Sequence, residues 1–187
     1  IDSSTMLLTA DALQAIATLP NNLSNSISSP VNVKINSLKE IRARGGVFIE
    51  HSDRKIRADA ADFFPFKQLA HFGGKPEIEL KGAYLSGDAI RAQSGAIELL
   101  GSDENGRAQM LLYETGGLGL EETTSISTDT IVLAYKILIL ENQNKNLFEF
   151  TDNAEVLSGD LQMEAKKITV SAYKGSTPKE FIDQPIQ

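Results

Sequence analysis

The chain contains no cysteine. Thiol catalysis, disulfide frameworks and Cys-ligated zinc or iron–sulfur centres are therefore excluded. Histidine is almost as scarce, with two copies, His51 and His71. No third ligand stands at metal spacing from them, so no metal and no cofactor is expected. Long apolar runs are missing too. The longest, Ile131 to Leu140, is ten residues and is broken by Lys136, whereas a membrane-spanning helix needs about 20. Basic residues are outnumbered, 18 Lys and Arg against 25 Asp and Glu, for a net charge of −7. Without a basic cluster the chain is a poor partner for nucleic acid, which demands phosphate neutralisation, and for an anionic membrane surface. Catalytic signatures of the G-x-S-x-G, H-E-x-x-H and phosphate-loop kinds do not occur. Gly116-Gly117-Leu118-Gly119 lacks the third spaced glycine of a dinucleotide loop.

What is present describes one folded domain with tails. The length is 187 residues, 41% hydrophobic and 23% charged, close to the roughly 150 residues of one domain and too apolar for disorder. The chain begins at Ile1 rather than Met, which fits a cut or processed leader. Residues 1–30 read as a leader ending in a polar loop between Pro20 and Pro30. Residues 31–173 read as the domain, which can also take in a strand from within 5–19. Residues 174–187, with Pro178 and Pro185, read as a tail.

The dominant period is 2. Val47, Ile49 and His51 alternate with Phe48 and Glu50. Leu161, Met163 and Ala165 alternate with Gln162 and Glu164, and Ile168, Val170 and Ala172 with Lys167, Thr169 and Ser171. Each run sets apolar side chains on one face of a strand. Clusters of Gly, Asn, Asp and Ser at 51–55, 102–106, 141–146 and 158–160 predict antiparallel hairpins. The segment 31–35 is a further plausible strand. Thr9 to Leu19 is alanine-rich, opens on a capping residue and stops before Pro20, so helix and strand remain evenly matched there.

A six-residue pattern recurs: apolar, any, small, Asp or Lys, any, apolar. It covers Leu8–Leu13, Ile56–Ala61, Leu85–Ile90, Ile126–Ile131 and Met163–Ile168. Across the polar pair the apolar parity switches, as between Met163 and Ile168. That switch lets a strand turn a corner while both of its arms keep apolar groups inward. Repeated corners at one level predict a rolled or V-shaped sheet.

Asn146 to Tyr173 resembles the OstA-like domain of the LptA-type lipopolysaccharide-transport family. The matching parts are Phe148 and Phe150, Asp152-Asn153-Ala154, Val156-Leu157, Gly159-Asp160, Met163 to Ile168, and Tyr173. Gly46 to Pro76 looks like a second copy, through Ala58-Asp59, Phe63-Phe64 and Gly74 to Pro76. The chain departs from the family pattern at Asp152, Ala154 and Lys166. The resemblance implies an all-β, twisted β-jellyroll open along one side. It implies a periplasmic carrier in a Gram-negative bacterium, holding the acyl chains of lipopolysaccharide or a similar glycolipid in an apolar trough. Such domains join end to end, so partners would be further OstA-like domains. No catalysis is implied.

A sheet with one apolar face must cover it with another sheet or with ligand. The inward candidates are Val47, Ile49, Ile56, Ala58, Ile126, Ile131, Leu133, Phe148, Phe150, Val156, Leu161, Met163, Ile168 and Val170. Alternation alone fits the closed core of a structural or adhesive module better than a trough, and only the resemblance favours lipid. Arg42 and Arg44 share a strand face and could meet lipid phosphates at a trough rim. The carboxylate pairs Glu77/Glu79 and Asp59/Asp62 have polar flanks, which argues against acid–base work.

Overall fold

The computed structural model describes residues 6–18, 38–51, 54–80, 82–113, 129–141 and 145–173. Within them the alternating segments are strands: β1 (Leu7–Thr9), β2 (Ala12–Ala17), β3 (Leu38–His51), β4 (Arg54–Phe64), β5 (Leu69–Gly73), β6 (Glu77–Leu80) and β7 (Ala83–Ser86). They continue as β8 (Ala89–Gln93), β9 (Ala96–Leu100), β10 (Ala108–Leu112), β11 (Thr130–Ala134), β12 (Lys136–Glu141), β13 (Lys145–Ser158) and β14 (Leu161–Tyr173). Every pairing is antiparallel. Helical geometry among the described residues is confined to one short 3-10 turn, Pro65–Lys67. The ambiguity at Thr9 to Leu19 resolves to strand, because Ala12–Ala17 pairs along β3. Alanine's modest helix preference yields to that ladder.

The long strands explain the architecture. The far half of β4, Ala60–Phe64, pairs with β5, and its near half, Lys55–Arg57, pairs with β6. Both lie on the edge of β4 that β3 does not occupy. Likewise β13 gives Asn146–Thr151 to β12 and Glu155–Ser158 to β11, with β14 along its other edge. Two arms result. The first runs β2, β3, β4, β5, β8, β9, β12, β13, β14, and the second runs β1, β3, β4, β6, β7, β10, β11, β13, β14. The all-β antiparallel expectation holds. The pairing differs from a simple sheet open along one side, because β4–β6 contact closes a ring from β4 through β5, β8, β9, β12, β13, β11, β10 and β7 to β6. β4 and β13 belong to both arms, and that sharing closes the ring.

Each strand row crosses between arms at a corner. In β3 the register skips Gly45 (φ 72°) and Gly46 (φ 50°), which together oppose Asp59 of β4. A Cβ at Gly45 would collide with the Asp11 side chain, and positive φ suits glycine. In β13 the same role falls to Asp152 and Asn153, both at φ 61°, opposite Lys166. The repeated hexad marks these corners. Asp11 lies between β1 and β2, Asp59 and Lys166 lie mid-strand, and Asp88 lies between β7 and β8 with its amide bonded to Leu100 O at 2.7 Å. The parity switch also holds, since Met163 and Ile168 both pack on the core. Asp129 is the exception. It precedes β11 at an arm tip, and the β11–β12 corner is Tyr135, whose amide donates to Asp152 O at 3.0 Å.

The expected hairpins at 51–55, 141–146 and 158–160 join paired strands. The turn at 102–106 forms, with Ser102 N donating to Gly106 O at 2.9 Å. It does not close a hairpin: β9 pairs with β8 and β12, and β10 with β7 and β11. The turn carries the chain from one arm to the other. The expected strand at 31–35 lies outside the described residues.

Between the arms the centre is filled. Ile90, Leu99 and Ile137 of the first arm and Leu85, Met110 and Val132 of the second are no more than 1% exposed. Each such side chain contributes about 1.5–3 kcal/mol by burial.

Candidate functional site

One row of inward residues on the first arm decides where space is left. Cross-strand partners run Ile41, Phe63, Ala70, Ala92, Ile97, Ile139, Phe148, Val170. On β9, β12 and β13 the row is Ile, Ile and Phe. On β5 and β8 it is Ala70 and Ala92, direct partners on neighbouring strands. Two short side chains side by side withhold the volume that branched residues supply elsewhere in the row.

A cavity of about 420 Å³ opens there, lined by Met6, Leu8, Ile41, Phe63, Phe64, Pro65, Gln68, Leu69, Ala70, Ala92 and Gln93. Its polar lining is two neutral amides, Gln68 and Gln93. Leu8 reaches it from β1, the edge strand of the second arm. Phe63 is held by an edge-to-face contact with Phe72, ring centroids 5.9 Å apart. The Phe64 ring meets His71 edge-on at 5.6 Å, and Lys67 Nζ lies 5.7 Å from its centroid. Gln68 adopts φ 48° at the end of the 3-10 turn, where its amide donates to Pro65 O at 3.1 Å. Met6 is 56% exposed, so the cavity is open to solvent on that side.

The sequence-derived trough residues fall elsewhere. Val47, Ile49, Ala58, Phe150 and Val156 are buried in the core, and Ile56, Phe148, Met163, Ile168 and Val170 pack against it. Leu161 is half-buried at the tip of β14. Ile131 and Leu133 need correction. β11 buries Thr130, Val132 and Ala134, so by alternation Ile131 and Leu133 stand on the outer face. All of Ile131 to Ala134 is apolar, so parity could not be read from that strand alone. The buried Thr130 hydroxyl instead bonds the Ser158 hydroxyl at 2.8 Å. Ile126 lies outside the described residues, as do Gly116 to Gly119.

Arg42 and Arg44 flank the buried Ala43 and therefore stand on the outer face of the first arm, away from the cavity. Arg42 Nε donates to Glu40 at 2.6 Å, and that bond raises the guanidinium above its usual value. Arg44 pairs with Asp62 at 2.7 Å and donates to Ala43 O and Ala61 O. Both arginines are committed to protein partners rather than to a rim. The outer face carries further pairs: Lys136–Glu98 at 2.5 Å, Arg91–Glu98 at 3.2 Å and Arg107–Glu155 at 2.7 Å. The Lys136 hydrogen bond holds the Glu98 carboxyl below the usual carboxylate range.

The other candidates do not gather. Asp59 sits at a corner while Asp62 pairs outward with Arg44. Glu77 lies opposite Ser86, and Glu79 opposite Tyr84. Burial first, and then Glu77, raises the Tyr84 hydroxyl above its usual value. Among the described residues no three His, Cys, Asp or Glu side chains cluster to hold a metal. Sequence reasoning missed Met6, Leu8, Ile41, Leu69, Ala70, Ala92 and the two glutamines. Their signal is a size pattern across strands, visible only once register is known.

No protein-family model matches the chain, and no curated protein matches it. Among solved structures it is similar to LptH from Pseudomonas aeruginosa, at 15% identity and a TM-score of 0.49. The similarity covers 71% of this chain and 89% of that one. LptH is described as the LptA-homologous periplasmic component of the lipopolysaccharide transport device.

Proposed function

We propose that this protein is a periplasmic, non-catalytic carrier that binds lipopolysaccharide or a similar acylated glycolipid by its acyl chains and passes it toward the outer membrane. The observation that carries this reading is the apolar opening between the arms at β1, β3, β4, β5 and β8. An apolar concavity with few polar groups is the usual form of a lipid or small-molecule site. The reading is supported by the OstA-like resemblance, whose two segments, Gly46 to Pro76 and Asn146 to Tyr173, contain a corner of matching design at Asp59 and at Lys166. On this reading the folded sheet is the family's twisted jellyroll. Its edge strands, β1 with β2 at one end and β14 at the other, receive further OstA-like domains by strand addition.

The filled centre favours one competing reading, a structural module with a closed core. Mass spectrometry of protein purified without detergent from a Gram-negative host separates them. Stoichiometric co-purified acylated lipid is the expected result. Lipid-free protein that also takes up no acyl lipid on addition supports the closed module.

A further inference from the structure

We infer that the outer face of the second arm is a docking surface for a protein segment that presents apolar side chains flanked by Lys and Arg. This surface is separate from the opening at Ala70 and Ala92, and the inference does not rest on the carrier reading.

Register and parity place the surface. β7, β10, β11 and β13 turn Leu85, Met110, Val132 and Val156 inward, each no more than 3% exposed. By alternation their neighbours Tyr84, Leu111, Ile131 and Leu157 face outward. These four are cross-strand partners in one unbroken row, and each is half-buried. With strands about 4.8 Å apart the row is about 14 Å long, the reach of roughly ten helical residues. The outer row of the first arm is different: His71, Arg91, Glu98, Leu138 and Glu149. There the leucine stands between two carboxylates. Isolated surface leucines are ordinary, whereas a contiguous apolar patch marks an interaction site.

Charge selects the partner. Segments 77–80, 83–86, 108–112, 130–134, 154–158 and 161–165 make up the second arm beyond β4. They contain Glu77, Glu79, Glu155 and Glu164 and no Lys or Arg. Glu79 stands opposite Tyr84 at one end of the apolar row. At the other end Leu157 stands opposite Gln162, whose amide donates to Glu155 and Glu164. The neighbouring cations are engaged or set back. Arg107 is bonded to Glu155 and to Asn153 O. Arg57 lies over the Phe48 ring, and Lys55 stands beyond Glu79 on β4. An acidic border around an apolar row attracts a basic, apolar partner. It repels a second copy of the same face and an anionic lipid surface.

The test uses two labelled 14-residue amphipathic peptides, one of Leu and Lys and one of Leu and Glu, followed by fluorescence anisotropy. The full chain is compared with Ile131→Ser, with the double variant Glu77→Gln/Glu79→Gln, and with Leu138→Ser as the control on the first arm. The parent is expected to bind the Leu/Lys peptide about tenfold or more tighter than the Leu/Glu peptide, and less tightly in added salt. Ile131→Ser should lose about tenfold in Leu/Lys affinity and the double variant severalfold, while Leu138→Ser binds as the parent does. The double variant keeps every apolar side chain, so it reads the border even if Ile131→Ser lowers the Tm. An equal loss in Leu138→Ser, or no loss in Ile131→Ser and the double variant, overturns the surface. Equal binding of the two peptides overturns the basic class, and a parent that binds neither overturns the proposal. A parent dimer in light scattering that Ile131→Ser disperses makes a second copy the occupant instead. Binding to phosphatidylglycerol vesicles that Ile131→Ser abolishes makes the occupant a membrane. Either result overturns the protein partner.

Discussion

The interior at β9, β12 and β13 and the interior at β5 and β8 are built from the same kind of strand, yet one is full and the other is open. Both rows are apolar, both alternate, and both belong to the first arm. The difference is side-chain size at partnered positions: Ile97, Ile139 and Phe148 against Ala70 and Ala92. Hydrophobic patterning therefore sets which face is inside, and the cross-strand pairing of small residues sets where that inside has room.

The comparison breaks most sharply at two positions that alternation treats alike. Phe150 is 3% exposed in the core, whereas Ile131 is half-buried on the outer face. Phe150→Glu should unfold the protein or cost about 3–5 kcal/mol, since it removes a buried ring and buries a carboxylate. Ile131→Glu should cost about 1 kcal/mol or less. Urea melts of the pair check this, and equal losses would mean that β11 has the opposite face inward. Next in size is Ile139→Ala, which gives the filled side the same short side chain as Ala92. It should cost about 2–5 kcal/mol by denaturant unfolding. Xenon should then occupy a second site beside Ile97.

A smaller effect belongs to the corners. Asp152 and Asn153 hold φ 61° where β3 uses two glycines. Asp152→Gly relieves left-handed strain of about 1 kcal/mol against glycine's entropy cost of about 0.5–1 kcal/mol. The Tm should rise slightly or stay level, whereas Gly45→Ala, blocked by Asp11, should lower it. The smallest effect is electrostatic. Glu98 is held below its ordinary value chiefly by Lys136. Its contribution is present above the unfolded carboxylate value and lost as pH falls through the lower folded one. Glu98→Gln should cost a few tenths of a kcal/mol at neutral pH, and the difference in Tm from the parent should shrink in acid.

Much of the fold was legible in the residues. Val47 to His51, Leu161 to Met163 and Ile168 to Val170 alternate cleanly because each has one face against the core. The hexad marked corners at Asp11, Asp59, Asp88 and Lys166 because a turning strand must change parity there. Ile131 to Ala134 was not legible, since a strand apolar on both faces carries no parity. The turn at 102–106 looked like a hairpin because turn residues report a reversal of local backbone, not which strands pair afterwards. The cavity was the least legible feature. Ala70 and Ala92 are 22 positions apart in sequence, and nothing local marks them as partners.

Methyl NMR of the folded parent during titration with dodecyl maltoside, which carries one unbranched alkyl chain, locates the bound chain. Shift changes are expected at Ile41, Leu69, Ala70 and Ala92, which line the opening, with Leu99, Val132 and Ile137 unmoved. Changes centred on Leu99, Val132 and Ile137 would put the ligand in the filled centre between the arms and overturn the opening at Ala70 and Ala92 as the binding site.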